Sequence, residues 1–149
     1  MSTVKFNLGV DFHARPMEQS DRAFVASTWL RDLRERSPYH RKIHPHDYNT
    51  LQTLTIDQLL DRCRTLIACD VNDPNTIYGF MTYGPNGIIH YTYTKKAFRR
   101  LGIYSALKAL TGIEGVPTFT YMTSCLEDVC RQSCQDYRFN PYALYAVLK

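Results

Sequence analysis

Hydrophobic and polar positions change their period several times along the chain, and each change marks an element. Val10, Phe12 and Ala14 alternate with polar neighbours between Val10 and Pro16, which predicts a first strand. Ser20-Asp21 is a candidate cap for a helix running to about Arg36, with Ala23, Ala26, Leu30 and Leu33 on one stripe. Ser37 to Tyr48 is rich in breakers and holds Pro38, Pro45 and three of the five histidines. Thr55-Ile-Asp-Gln58 has the form of a capping box for a short second helix carrying Ile56, Leu59, Leu60 and Cys63.

Alternation returns at Thr65 to Cys69, Thr76 to Tyr83 and Ile88 to Thr94. The runs between them, Asn72-Asp-Pro-Asn75 and Gly84-Pro-Asn-Gly87, are strong turn signals, so the three strands read as an antiparallel meander. A helix opens near Gly102 with Ile103, Ala106, Leu107 and Leu110 on its buried face, and Gly112 and Gly115 end it. Pro117 to Met122 reads as another strand, Ser124 caps a helix to about Gln132, and Tyr142 to Leu148 alternates as a last strand. The order is mixed α/β, with a βαβ crossover expected to be right-handed.

Length and composition set bounds on this reading. A chain of 149 residues suits one domain with its own core, 1–149, and needs no disulfide or metal to fold. Hydrophobic residues at 44% and charged residues at 21% are ordinary for a soluble protein. No run is long enough to span a bilayer, and Met1 to Val10 lacks the pattern of a signal peptide. Five cysteines without an export signal point to reduced thiols and a cytoplasmic location. A formal net charge of +4 permits an anionic ligand but argues only weakly for nucleic acid.

The stretch from His90 to Leu110 carries the chemistry. A strand hands over through a basic loop to the start of an amphipathic helix, where first-turn N–H groups lack intrahelical partners and the dipole favours negative charge. Lys95, Lys96, Arg99 and Arg100 gather around that point. The ligand expected there is phosphorylated.

Arg99-Arg100-Leu101-Gly102-Ile103-Tyr104 resembles motif A of the GCN5-related N-acetyltransferases, Arg/Gln-x-x-Gly-x-Gly/Ala, and it stands after a meander as it does in that family. Tyr104 departs from the pattern, which has a small residue there. The chain also resembles small bacteriophage-encoded members in its Tyr-Thr-Lys-Lys-x-Phe-Arg-Arg run. The resemblance implies the family's fold, a central mixed, mostly antiparallel sheet whose fourth and fifth strands splay apart, flanked by helices. It implies acetyl-coenzyme A with its pyrophosphate on the amides of Arg99, Arg100, Leu101, Gly102, Ile103, Tyr104 and Ser105. The pantetheine arm would pair with the backbone of Thr92, Tyr93 and Thr94, as an unpaired strand edge allows.

The activity so implied is transfer of an acetyl group to an amine by direct attack, the acceptor being a small molecule or a protein. His90 lies on the strand where family members often carry a glutamate base; packed histidine is the other reading. His90, Thr92 and Thr94 are expected on one face, with Tyr91 and Tyr93 on the other. The family's Asn-x-x-Ala-x-x-x-Tyr pattern is absent after the fifth strand. Tyr137 is the nearest phenol for a general acid, and Cys134 fills the position counted back from Phe139.

His40, His44 and His46 lie in a loop that in the family borders the acceptor. No cysteine or carboxylate pattern completes a zinc spacing around His44-Pro-His46, so no metal is expected. Three functions stay open: the acetyltransferase, a GNAT-like binding or structural protein without catalysis, and nucleic-acid binding through the basic loop. The oligomeric state is also open.

Overall fold

The computed structural model describes residues 2–5, 11–124 and 138–148, and for residues 2–5 and 11 the backbone alone. Its strands are β1 (Ser2–Lys5), β2 (Asp11–Pro16), β3 (Arg64–Asp70), β4 (Ile77–Gly84), β5 (Ile88–Thr94), β6 (Thr118–Phe119) and β7 (Arg138–Phe139). They form one seven-stranded sheet in chain order. Neighbours from β1 to β5 are antiparallel, while β6 runs parallel to β5 and β7 parallel to β6. The expected meander is β3–β4–β5, each strand within about one residue of its expected ends. Its second turn is tight because Asn86 and Gly87 both adopt positive φ, 65° and 74°.

The helices are α1 (Arg22–Arg36), α2 (Pro38–Arg41), α3 (Pro45–Asp47), α4 (Thr53–Arg62) and α5 (Ile103–Thr111). None of the described helices is long and apolar enough to cross a membrane. α1 and α4 cover one face of the sheet, where Val25, Trp29, Leu33, Ile56 and Leu59 pack on Ile67, Phe80 and Tyr91. α5 covers the other, where Ile103, Ala106 and Leu107 pack on Phe12, Met81 and Ile89. The expected sheet flanked by helices is therefore the fold observed.

Several expectations need correction. The buried stripe of α1 is Val25, Thr28, Trp29, Asp32 and Leu33, not one through Ala23, which is exposed. Asp32 can be buried because Tyr91 Oη donates to its Oδ2 at 2.6 Å and Arg36 Nε to its Oδ1 at 2.6 Å. Asp21 makes no side-chain cap bond to α1; its carboxylate turns back to Arg15 and to the Glu18 N–H.

Thr55 lies inside α4, donating to the Leu51 carbonyl, because a π-helical stretch, Tyr48–Gln52, runs straight into that helix. Leu110 is 41% exposed, since α5 ends within a turn of it at Gly112, whose φ is 76°. Of the strand expected from Pro117 to Met122, only Thr118–Phe119 forms one. Tyr142 to Leu148 is not a strand: Pro141–Ala146 is 3₁₀, opened by Asn140 Oδ1 accepting from the Tyr142 N–H with Pro141 in the first turn. The helix expected after Ser124 falls on residues outside those described.

Candidate functional site

The site begins with an extra residue in β5. The pairing passes from Thr82↔Tyr91 to Tyr83↔Ile89, so His90 is bulged out of the ladder. A bulge breaks the two-residue alternation of faces. Ile89 packs on the α5 side and Tyr91 on the α1 side although they are two apart. His90 follows Tyr91: a Cβ built on Gly84 would meet both His90 Nε2 at 3.4 Å and Cys63 Sγ at 3.8 Å, and Cys63 packs with the α1-side core. The expected grouping of His90 with Thr92 and Thr94 is thus broken by the bulge.

β6 leaves β5 at the same level. Its register covers Ile88↔Thr118 and Ile89↔Phe119 only, and the last backbone bond between them is Thr120 N–H to the Ile89 carbonyl at 3.3 Å. Beyond it, among the described residues, β5 is paired only with β4. Lys95 N–H donates to the Tyr78 carbonyl at 2.8 Å. By the alternation of an antiparallel ladder, Tyr93 then turns its backbone toward Phe80, while Thr92 and Thr94 turn theirs to the open side. Arg99 Nε occupies the Thr94 carbonyl at 2.9 Å.

The loop after β5 delivers the chain to α5. Lys96–Phe98 is a 3₁₀ turn, and Phe98 stacks on Tyr78 with centroids 4.1 Å apart. Arg100 has φ of 65° and Gly102 of 88°. The left-handed region is strained for arginine and open to glycine. Gly102 caps α5 without any side-chain bond, and the first intrahelical bond is Ala106 N–H to the Gly102 carbonyl at 3.0 Å. The N–H groups of Ile103 and Ser105 therefore have no intrahelical acceptor.

Four cations were expected here. Lys96 and Arg100 are exposed; the half-buried Arg99 holds Thr94, and Lys95 Nζ lies 5.9 Å from the Phe24 ring centre. Leu101 is half-buried and Ser105 exposed, and Tyr104 is half-buried against the α5-side core.

His90 is 1% exposed, with Nδ1 3.0 Å from Thr120 Oγ1 and Nε2 buried without a partner. Burial pushes its pKa down to about 4, so the ring is neutral at pH 7. Tyr91 stacks on Trp29 at 5.0 Å and 16°, and burial, with Asp32 beside it, raises its pKa well above the ordinary phenol value.

Tyr121 heads the segment that diverges from β5; burial raises its pKa to about 12, and Gln52 Nε2 donates to its hydroxyl at 2.9 Å. The ring of His40 lies 5.7 Å from that of Tyr121, so the histidine-rich loop does reach the diverging segment. His40 Nδ1 pairs with Ser37 Oγ at 2.7 Å, and burial lowers its pKa. His44 instead caps α3 by accepting from the His46 N–H, and His46 is exposed. Cys134 and Tyr137 lie outside the described residues.

Tyr121, Gln52 and Gly79 were not singled out from the sequence. The signal for Gly79 was a glycine inside an apolar strand, which often marks a close backbone approach. A Cβ there would stand 2.4 Å from the Tyr93 carbonyl oxygen and 3.2 Å from Thr94 Cα, both backbone. Gly79→Ala is expected to force β4 and β5 apart and cost about 1–3 kcal/mol or more in urea denaturation. A loss below about 0.5 kcal/mol would show that the strands can part freely there.

No protein-family profile and no curated protein matches the sequence. Similar solved structures include a GCN5-related N-acetyltransferase from Rhodopseudomonas palustris, with TM-score 0.49, 14% identity, and 75% of this chain and 66% of that one covered. YjaB from Escherichia coli in its apo form gives TM-score 0.48 at 14% identity, covering 66% and 63%. A possible acetyltransferase from Clostridium difficile 630 gives TM-score 0.50 at 13% identity, covering 86% and 76%. The chain spans just under two thirds of the length of the first two. The likeness to the Clostridium difficile structure is one of fold. All three come from bacteria and lend nothing to a bacteriophage origin.

Proposed function

We propose that the protein is an acetyl-coenzyme A-dependent N-acetyltransferase acting on an amine. One observation carries this reading: an open β5 edge at Thr92 and Thr94 leads, through the basic loop, to the start of α5, where Gly102 offers no side-chain cap. The residues fit acetyl-coenzyme A, which when bound supplies an activated thioester acyl group. The α5 amides and Arg100 would donate to the pyrophosphate oxygens, and strain held at Arg100 suits a backbone shaped for a ligand. The outward N–H and carbonyl of Thr92, with the Thr94 N–H, hold an extended amide chain as an added strand, the Thr94 carbonyl being taken by Arg99. Outward N–H groups on that edge are also the donors available to a developing oxyanion.

An acceptor amine with pKa about 10.4 costs roughly 4–5 kcal/mol to neutralise at pH 7. His90, buried and held by Thr120, is better suited to tie β5 to the diverging segment than to take that proton. Return of a proton to the leaving thiolate is assigned to Tyr137 or Cys134, from their place before Phe139.

Ser105→Glu tests the cofactor site. A carboxylate in the first turn suits the helix dipole, so the free protein should melt at the same temperature or slightly higher. Acetyl-coenzyme A at about 100 times Kd should stabilise the original protein by about 2.7 kcal/mol and the variant by far less. Absence of any shift at millimolar acetyl-coenzyme A would remove the reading. A shift without thiol release across an amine panel would instead favour a binding protein that has kept the cofactor site and lost catalysis.

A further inference from the structure

A second cationic site lies on the outer face of α1. A groove of about 510 Å³ runs between α1 and the chain from α2 to the π-helical stretch, and it shares no residue with the β5 edge or the α5 start. Ser27, Leu30, Arg31 and Arg34 reach it from α1 at the spacing that places side chains on one helix face. Arg41, Tyr48 and Asn49 face them from the other wall, and Glu35 is the one carboxylate in the lining.

The arginines of this groove lack the aspartate partners that hold three others. Arg15, Arg22 and Arg36 each pair with an aspartate. Among the described residues, no carboxylate lies within ion-pairing distance of Arg31, Arg34 or Arg41. Arg34 is also held in place: its guanidinium carbon lies 4.9 Å from the Tyr48 ring centre, and Nη2 donates to the Ile43 carbonyl at 3.2 Å. Its Nη1 is buried and has no partner. A buried guanidinium nitrogen left unpaired is costly, and a groove with three guanidiniums against one carboxylate is short of negative charge.

We propose that this groove binds a small organic phosphate, with the phosphate on Arg31, Arg34 and Arg41 and the organic part against Leu30 and Tyr48. Guanidinium groups match the oxygens of a phosphate in paired hydrogen bonds, and a dianion offsets the surplus charge. The volume lies within the roughly 300–1,000 Å³ of small-molecule sites. The groove is linked through rings to the segment that diverges from β5: His40 meets Tyr48 edge-on at 6.2 Å and lies tilted to Tyr121 at 5.7 Å. The proposal does not rest on the acetyltransferase reading.

Phenyl phosphate is the probe, titrated into the isotopically labelled full chain and followed by amide chemical shifts. Saturable shifts clustered at residues 27–35 and 41–49, absent with phenol, are the expected result. Arg34→Gln should weaken the affinity at least tenfold. Arg31→Gln/Arg41→Gln should do the same, and because both residues are exposed this variant keeps the fold. An affinity unchanged within twofold in the double variant would overturn the proposal. So would shifts confined to residues 95–105, which report the α5 start instead.

Discussion

Asp21→Ala is expected to lower stability by about 3–5 kcal/mol, the cost of leaving one partner of a buried ion pair alone. Asp21 is 4% exposed and Arg15 5%. Two bonds join them, Nη1 to Oδ2 at 2.6 Å and Nη2 to Oδ1 at 3.0 Å. Arg15 stays charged in the variant and keeps the Pro74 and Pro16 carbonyls as acceptors, neither of which carries a compensating charge. The Glu18 N–H loses an acceptor at 2.8 Å. For a domain of this size the loss corresponds to a fall in Tm of roughly 6–20 °C.

Replacing both partners, Arg15→Met with Asp21→Leu, should cost less than Asp21→Ala alone, because no unpaired charge remains. Acid behaviour follows from the same pair. The Arg15 guanidinium first, with the Glu18 N–H, holds the Asp21 carboxyl below its ordinary range against the opposing effect of burial. A depressed folded pKa gives stability that is fully present above the unfolded value, about 3.9, and is lost as pH falls through the folded one. The gap between the original protein and Asp21→Ala should therefore narrow below about pH 4. A single-variant loss under about 1 kcal/mol at pH 7 would mean that water reaches the pair.

Trp29→Ala should cost a comparable 3–5 kcal/mol or so, as large-to-small changes at fully buried aromatic positions do. Trp29 is 0% exposed, stacks on Tyr91 and meets Tyr121 edge-on at 5.9 Å and 87°. It therefore supports β5 and the segment that follows β6 where they separate, through one ring on each. The variant should lose part of any acetyl-coenzyme A response as well as stability, while Trp29→Phe should keep most of both. Denaturation must be followed by circular dichroism, because this is the only tryptophan in the chain. A loss under about 1 kcal/mol would show that the α1-side core closes over the missing ring.

The meander and α5 were legible because their signals are local. Apolar alternation bounded by Asn and Gly turns marks β3 to β5, and Gly102 marks the helix start. The α1 stripe was misplaced because Asp32 is buried by a hydroxyl 59 residues away, a contact no local pattern contains. A hydropathy reading takes its alanines as core and its aspartate as surface. Tyr142 to Leu148 alternates as a strand would, yet Asn140 and Pro141 start a 3₁₀ turn, and capping chemistry prevails over period there.

Within the site, the sequence marks the run from Arg99 to Ser105 and an edge at Thr92, Tyr93 and Thr94, of which Tyr93 turns its backbone to β4 instead. It does not mark the bulge at His90, since Ile88-Ile-His-Tyr91 carries no glycine or proline to announce it. The role of Tyr121 was hidden for a different reason: it depends on Gln52, which comes from another helix segment altogether.

The bulge has a bearing on folding itself. Tyr91-Thr-Tyr-Thr94 is a two-residue repeat, and slipping it by two positions along β4 would put tyrosine on tyrosine and threonine on threonine. Side-chain chemistry alone distinguishes such alternatives poorly. The bulge at His90 breaks the degeneracy, because the extra residue is accommodated where Thr82 faces Tyr91 and Tyr83 faces Ile89. Gly79 reinforces it from the partner strand, being the one β4 position that admits the Tyr93 carbonyl so closely. These two residues act as a register lock, so their loss should show first as mispaired chains during refolding.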